Sequence, residues 1–412
     1  MRGWLRRAAG GLPRQFWFLW TGTLINRVGG FAVLFLSIYL TAERGFSQSM
    51  AGLILGIYGV GGAIGAVGGG VLADRWGRRP TMLTAQFGAA ALMLALGLAQ
   101  TYAQIAVATF LLGLFAEAVR PAFSAMMVDI VPEHDRVRAF SLNYWAINLG
   151  FACAAIIAGF AASIDYLLLF VGDAATTLIT AIITAIFLAE TRPAARSSRR
   201  AAGPGLGAAL KDRVFGVYLL LTLISVLVIL QHLSTLPISM LADGHSAATY
   251  GAIIAVNGVL ILSGQLFVPK LIEGRDSAKV LAVASVLVGS GFGLVALAET
   301  PLVYALTVII WTLGEMLQSP SNAATVAALS PPELRGRYQG LSSLSWSAGS
   351  ALAPIIGGLV LQKAGDVVLW GGCFALCVLV AVGHLMAGPA RARRAARVRA
   401  REIEEALAAA AV

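Results

Sequence analysis

Gly70-Val71-Leu72-Ala73-Asp74-Arg75-Trp76-Gly77-Arg78-Arg79-Pro80, closing on Leu83, decides how the rest of the chain reads. Long apolar runs flank it on both sides, and after Ala73 nothing in it could cross a bilayer. It reads as a tight, charged hairpin between two membrane helices. Gly70 would let another helix approach closely, and Gly77 would let the chain turn. Asp74 is an acid suited to a neighbouring helix N-terminus. Arg75, Arg78 and Arg79 mark the cytoplasmic side. Positive charge alone would account for the arginines but not for the Gly/Asp/Gly spacing.

Composition agrees with a membrane setting. Of 412 residues, 58% are hydrophobic and 12% are charged. A soluble domain of that size could not hide so much apolar surface, whereas a bilayer can. The net charge of +10 could suggest nucleic acid, but the positions of the charges point elsewhere. Of 30 Lys and Arg, all but Arg27, Arg44, Arg120 and Lys363 fall in seven segments, at 1–15, 75–79, 136–138, 192–213, 270–279, 335–337 and 391–401. All seven lie on one side if the N-terminus is cytoplasmic and the chain crosses twelve times. The basic excess is therefore a topology signal, not a nucleic-acid patch. Cys153, Cys373 and Cys377 lie in apolar runs with no His or further Cys to complete a metal set, so they read as small hydrophobes and no metal is expected. The run Phe16–Leu40 is too long for a signal-peptide core and reads as a retained first helix. The abundance of Arg, Ala and Gly suggests a GC-rich bacterial source.

Twelve spans follow, at 16–40, 50–72, 81–99, 104–130, 140–163, 166–189, 214–241, 248–269, 279–298, 302–329, 338–363 and 367–387. They divide the chain into a six-helix half at 1–189, a cytoplasmic linker at 190–213, a second half at 214–387 and a cytoplasmic amphipathic tail at 388–412. The linker is marked by Arg192-Pro193 and Gly203-Pro204-Gly205. The tail is rich in Ala, Arg and Glu and reads as a helix drawn to anionic lipid at the inner surface. A constant shift of 199 places Gly65 on Gly264, Asp74 on Glu273, Pro121 on Pro320, Pro132 on Pro331, Arg136 on Arg335, Arg138 on Arg337, Gly150 on Gly349 and Gly159 on Gly358. Two parallel six-helix repeats with a midplane site are a transporter arrangement. The second copy of the hairpin, at Glu273-Gly274-Arg275, is degraded.

From Gly70 to Arg79 the hairpin matches the G-x-L-a-D-r-x-G-r-k-x-x-l signature between the second and third helices of the major facilitator superfamily, with Arg79 for the lysine, and the chain thereby resembles that family. The resemblance implies an all-α membrane protein with twelve transmembrane helices in two pseudo-symmetric six-helix halves. It implies a carrier driven by a proton or other ion gradient, with no cofactor. No Walker motif, metal-ligand helix or nucleophile elbow supports an enzyme.

Charges in mid-span are costly and read as functional candidates. Arg27 sits beside Asn26 near the middle of the first span. Glu117 and Arg120 lie one turn apart on one face of the fourth and could simply neutralise each other. Asp173 lies in the sixth span, where a structural partner in its own half competes with a proton role. Asp129, at the inner end of the fourth, is placed to pair with Arg78 or Arg75. Glu315 lies in the tenth span, with no basic residue within a turn of it in sequence. The expected cytoplasmic gate is Gly70, Asp74, Arg75, Gly77, Arg78 and Asp129. The expected proton-coupling residues are Glu315, Glu117 and Asp173.

Two segments sharpen the resemblance. Leu142-Asn143-Tyr144-Trp145-Ala146-Ile147-Asn148-Leu149 and Trp311-Thr312-Leu313-Gly314-Glu315-Met316 with Pro320 resemble helices five and ten of multidrug/proton antiporters of the LmrP type. By that resemblance Glu315 is the matching proton-linked carboxylate, while Asn143 stands where those proteins carry an acid. Asn26-Arg27, Val119-Arg120-Pro121 and Phe140-Ser141-Leu142-Asn143-Tyr144 resemble proton-coupled peptide transporters instead. The reading placed first is proton-coupled efflux of amphipathic or hydrophobic small molecules, and the alternative is proton-coupled uptake of peptides or other small polar solutes. The expected cavity holds Arg27, Asn26, Arg120, Asn143, Tyr144, Trp145, Phe31 and Trp311. The expected setting is a monomer in a bacterial inner membrane, both termini cytoplasmic, with lipid and a small-molecule substrate as partners and no nucleic acid.

Overall fold

The computed structural model describes residues 11–191, 211–331 and 334–410. Most of the linker read at 190–213 and the first ten residues lie outside that range. The described residues are helical with short connections. The helices are α1 Arg14–Val28, α2 Ala32–Ile38, α3 Gln48–Arg75, α4 Arg78–Leu98, α5 Tyr102–Ile130, α6 Arg136–Ala162 and α7 Leu167–Phe187. They continue with α8 Arg213–Ile229, α9 Gln231–Ser234, α10 Leu236–Ala242, α11 Ala247–Gly264, α12 Val268–Ile272, α13 Ser277–Leu294, α14 Pro301–Leu329 and α15 Arg335–Ala410. Gly365, at φ +81°, interrupts α15. Among the described residues eleven helical segments are long and apolar enough to span a bilayer, the last reaching from Arg335 to Ala400. The break at Gly365 makes that one two crossings, so the chain has the twelve-helix, all-α architecture the spans predict.

The repeat is written into the helix starts. Arg14 and Arg213, Gln48 and Ala247, Arg78 and Ser277, Tyr102 and Pro301, and Arg136 and Arg335 all stand 199 apart. The caps repeat with them. Ser47 and Ser246 accept from the backbone of Met50 and Thr249, and Thr101 and Thr300 from Gln104 and Val303. The repeat fails where the hairpin's second copy is degraded. α3 runs unbroken to Arg75, whereas α11 stops at Gly264 and the five-residue α12 fills the gap.

The chain folds as two units, one of Met1–Arg196 with His232–Leu262 and Pro354–Gln362, the other of Ser197–Gln231, Ser263–Ala353 and Lys363–Val412. In the first, α3 and α5 are in direct backbone contact. A Cβ on Gly61, Gly65 or Gly69 would fall on the carbonyl oxygens of Phe110, Leu114 and Ala118. Spaced four apart, these glycines form one stripe that lets the helices pack closely without a hydrophobic force between them. The close approach expected at Gly70 therefore lies one residue earlier. A Cβ on Gly70 would meet only Pro121, at 3.8 Å, because that position points about 100° away from the stripe.

In the second unit Asp212 caps α8, its Oδ1 accepting from Val214 and Phe215 N–H at 3.1 Å. Its Oδ2 accepts from the Tyr338 hydroxyl at 2.8 Å and from Arg394 Nε at 3.2 Å. Partial burial pushes this carboxyl up, but the Phe215, Tyr338 and Arg394 bonds outweigh it and hold it below the usual aspartate value. A folded pKa below the unfolded one gives stability that is present above about pH 4 and lost as pH falls further. Asp212→Asn should therefore flatten the acid limb of a plot of unfolding temperature against pH. An unchanged limb would assign it to another carboxylate.

Candidate functional site

A cavity of about 410 Å³ opens within the first unit between α1, α3, α4, α5, α6 and α7. Five of the residues singled out from sequence share it: Asn26 and Arg27 from α1, Glu117 and Arg120 from α5, and Asn143 from α6. Tyr58, Gln86, Thr177 and Thr180 join them. Arg27 lies between helices, yet its side chain is open to this space. Gly150 makes room for it, since a Cβ there would fall on Arg27 Cβ. Arg120 Nη1 donates to Glu117 Oε2 at 3.1 Å, and the Arg120 side chain is 72% exposed. An ion pair that open to water contributes little stability, which leaves the guanidinium available to a solute.

Asp173 stands behind the cavity wall. Its Oδ2 accepts from Ala32 N–H at 3.2 Å, where the first span breaks between α1 and α2. Next to it Asn26 Nδ2 donates to Thr177 Oγ1 at 3.0 Å. Arg27, Glu117 and Arg120 line the cavity together, and Asp173 is not among its lining residues.

The expected aromatic lining is elsewhere. Tyr144 and Trp145 are exposed and outside the cavity, because Asn143 faces inward and the next two residues turn about 100° and 200° away. Phe31 is buried, its ring over Gly172. Trp311 is fully buried in the second unit, stacked on Phe292 with centroids 5.4 Å apart. Glu315 is half-buried on α14 in that unit. Tyr58, Gln86 and the threonines of α7 were not anticipated. A lone amide in an apolar span, and Thr177, Thr180 and Thr184 at helical spacing, were the signals for them.

At the hairpin, Gly77 has φ +118°, a conformation that favours glycine. Arg78 is buried, with Nε donating to Asp129 Oδ2 at 3.0 Å and Nη1 to Ala73 O at 3.0 Å. The side chain of Asp74 is 75% exposed, 3.5 Å from Arg78, and Arg75 is exposed. The acid on the start of α4 is Glu190, which sequence reading missed. Its carboxylate accepts from Arg78 and Arg79 N–H at 2.9 and 3.0 Å, two of the four donors a helix start leaves unpaired.

Comparison with known proteins agrees with this architecture. The family model described as Major Facilitator Superfamily matches residues 19–342 and 244–409. The chain is 25% identical over 357 residues to the "Uncharacterized MFS-type transporter YqjV" of Bacillus subtilis (strain 168), covering 85% of this chain and 87% of that one. It is 27% identical over 345 residues to the "Multidrug resistance protein MdtH" of Enterobacter sp. (strain 638), covering 81% and 83%. Among solved structures it resembles a POT family transporter in complex with 5-aminolevulinic acid, with TM-score 0.78, 16% identity and coverage of 93% and 98%. It also resembles the nucleoside transporter NupG, with TM-score 0.77, 14% identity and coverage of 91% and 100%. At such identities the structural likeness speaks to fold alone.

Proposed function

We propose that this chain, which belongs to the major facilitator superfamily, couples proton movement to the transport of small polar solutes carrying an anionic group. It is a multi-pass bacterial membrane protein and a carrier rather than an enzyme, moving small solutes across the bilayer. The observation that carries the finer reading is the cavity lining. Two arginines, one carboxylate and three side-chain amides converge there, and the tyrosine and tryptophans expected beside them lie elsewhere. Guanidinium groups match carboxylate and phosphate oxygens as forked donors, so Arg27 and Arg120 suit an anionic group and Glu117 a cationic one. This favours uptake of peptide-like or other polar solutes over amphipathic efflux, the reverse of the order taken from sequence.

Efflux of amphipathic molecules is the second reading. Phe18, Phe123 and Phe140 line the same cavity, and one relative is named for multidrug resistance. Proteoliposomes with an imposed pH gradient, offered a dipeptide panel and a lipophilic dye side by side, separate the two. Movement of the dye alone would restore efflux to first place.

We assign proton coupling chiefly to Glu315, with Glu117 and Asp173 as the other carboxylates involved. The LmrP-type segment around Trp311–Met316 supports this, as does the position of Glu315 in mid-helix, where a carboxylate is costly to keep. Glu315→Gln copies the neutral acid. It should fold, bind solute and exchange it downhill, but lose accumulation driven by pH. Wild-type accumulation by this variant would move the role to Glu117 and Asp173. The exposed Asp74, beside the Arg78–Asp129 pair, is our candidate for the moving contact of a cytoplasmic gate that also includes Gly70, Arg75 and Gly77.

A further inference from the structure

Two prolines interrupt neighbouring helices of the second unit, Pro269 just after α11 and Pro320 within α14. Proline has no N–H, so each deprives the carbonyl four residues before it of its helical partner. Those residues are Gln265 and Met316. The two breaks are resolved differently. α11 stops at Gly264, and Val268 N–H reaches the Gln265 carbonyl only as a tight turn, at 3.4 Å, where α12 begins. α14 runs on through Pro320, and its Met316 carbonyl accepts from the side chain of Gln265, Nε2 to O at 3.3 Å. The side chain of one interrupted residue thus serves the backbone of the other.

The amide of Gln265 is otherwise half satisfied. Its Oε1 is buried and has no hydrogen-bond partner among the described residues, so the fold gains nothing from that end of the group. Turning the amide over would set one oxygen against another at Met316. Gly264 lets the two segments come together, since a Cβ there would fall on Met316 Cε, 2.6 Å away. The first half has no counterpart. The 199-residue shift puts Ala66 in the place of Gln265, Gly70 in that of Pro269 and Glu117 in that of Met316, while Pro121 answers to Pro320. α3 therefore passes unbroken, and alanine has no donor to offer the Glu117 carbonyl.

We infer that Gln265 is a positioning residue for Glu315, which stands next to Met316 on α14; this rests on the proton role proposed above for Glu315. A backbone carbonyl without a donor inside a bilayer is costly. Without Gln265, α14 would relieve that cost by changing its bend at Pro320 or by admitting water. Either would move Glu315, which lies within about a turn and a half of the proline. By filling the Met316 carbonyl, Gln265 holds the bend at one value and fixes where the half-buried Glu315 carboxylate stands. The joint belongs to the unit that carries Glu315 and is missing from the one that carries the arginine cavity.

The test is a double-mutant cycle on the purified full-length protein. Gln265→Leu nearly keeps the volume and removes the donor, and should lower the unfolding temperature by about 2 °C or more. Pro320→Ala returns an N–H to the Met316 carbonyl, so in that background Gln265→Leu should shift it by less than about 0.5 °C. Equal losses in both backgrounds would overturn the bond's role. Proteoliposomes test the positioning, with whichever of the dipeptides or the dye the wild-type protein moves. Gln265→Leu should cut the maximal rate of pH-driven transport about tenfold. KM should stay unchanged, because the arginine cavity lies in the other unit. Added to Glu315→Gln, it should leave downhill exchange as it is. A shifted KM, an unchanged pH-driven rate, or a matching loss of downhill exchange in the Glu315→Gln background would overturn the positioning role. So would wild-type accumulation by Glu315→Gln alone, a failure of the proton reading that the cycle in unfolding temperature does not share.

Discussion

Arg27→Ala is expected to raise the KM for an anionic or zwitterionic solute about 150-fold while leaving the protein folded. A bidentate, charge-assisted pair between guanidinium and carboxylate contributes about 3 kcal/mol when one partner is removed, and that converts to roughly this factor. The fold should survive because the side chain is open to the cavity, so water can take the vacated volume. Arg27→Lys keeps the charge and loses the fork, and should fall between the two. Gly150→Ala should move in the same direction, since its methyl would collide with Arg27 Cβ. Initial rates of pH-driven uptake against solute concentration, with unfolding temperature measured in parallel, check the series. An unchanged KM in Arg27→Ala would remove the anion-binding role.

Gly65→Ala is expected to lower stability by about 3 kcal/mol, a large effect for one methyl group. The added carbon would fall on the carbonyl oxygen of Leu114, and backbone cannot turn aside as a side chain can. α3 and α5 would have to separate along the whole stripe from Gly61 to Gly69, losing the contacts that hold helices together in lipid. Gly68→Ala is the control. A Cβ there meets nothing within 4 Å, so its effect should stay within about 0.5 kcal/mol. Unfolding in detergent by heat or denaturant compares the two. Similar stabilities would mean that the helices can shift to accept the methyl.

The architecture was legible because a bilayer imposes simple rules. Every backbone polar group must be satisfied within a helix, so apolar runs of about 20 residues mark the crossings. The 199-residue repeat was equally open to reading, and it reappears in the starts of the helices and in their Ser and Thr caps. Arg27, Glu117, Arg120 and Asn143 could be picked as candidates because charge and amides are scarce in mid-span. That they share one cavity, and that Asp173 serves the break between α1 and α2 from behind it, appears only in the fold.

The sequence by itself determined the membrane setting, the crossings, the repeat and the polar candidates, since each rests on composition or periodicity along the chain. The tertiary structure alone decided which faces meet. It moved the close helix contact from Gly70 to Gly69, because one residue turns a helix by about 100°. It put Tyr144 and Trp145 outside the cavity that Asn143 enters, for the same reason. It brought Glu190 onto the start of α4, across 112 residues from Arg78. Rotation about a helix axis and contact across long stretches of chain leave little mark on local sequence, and both are settled by packing.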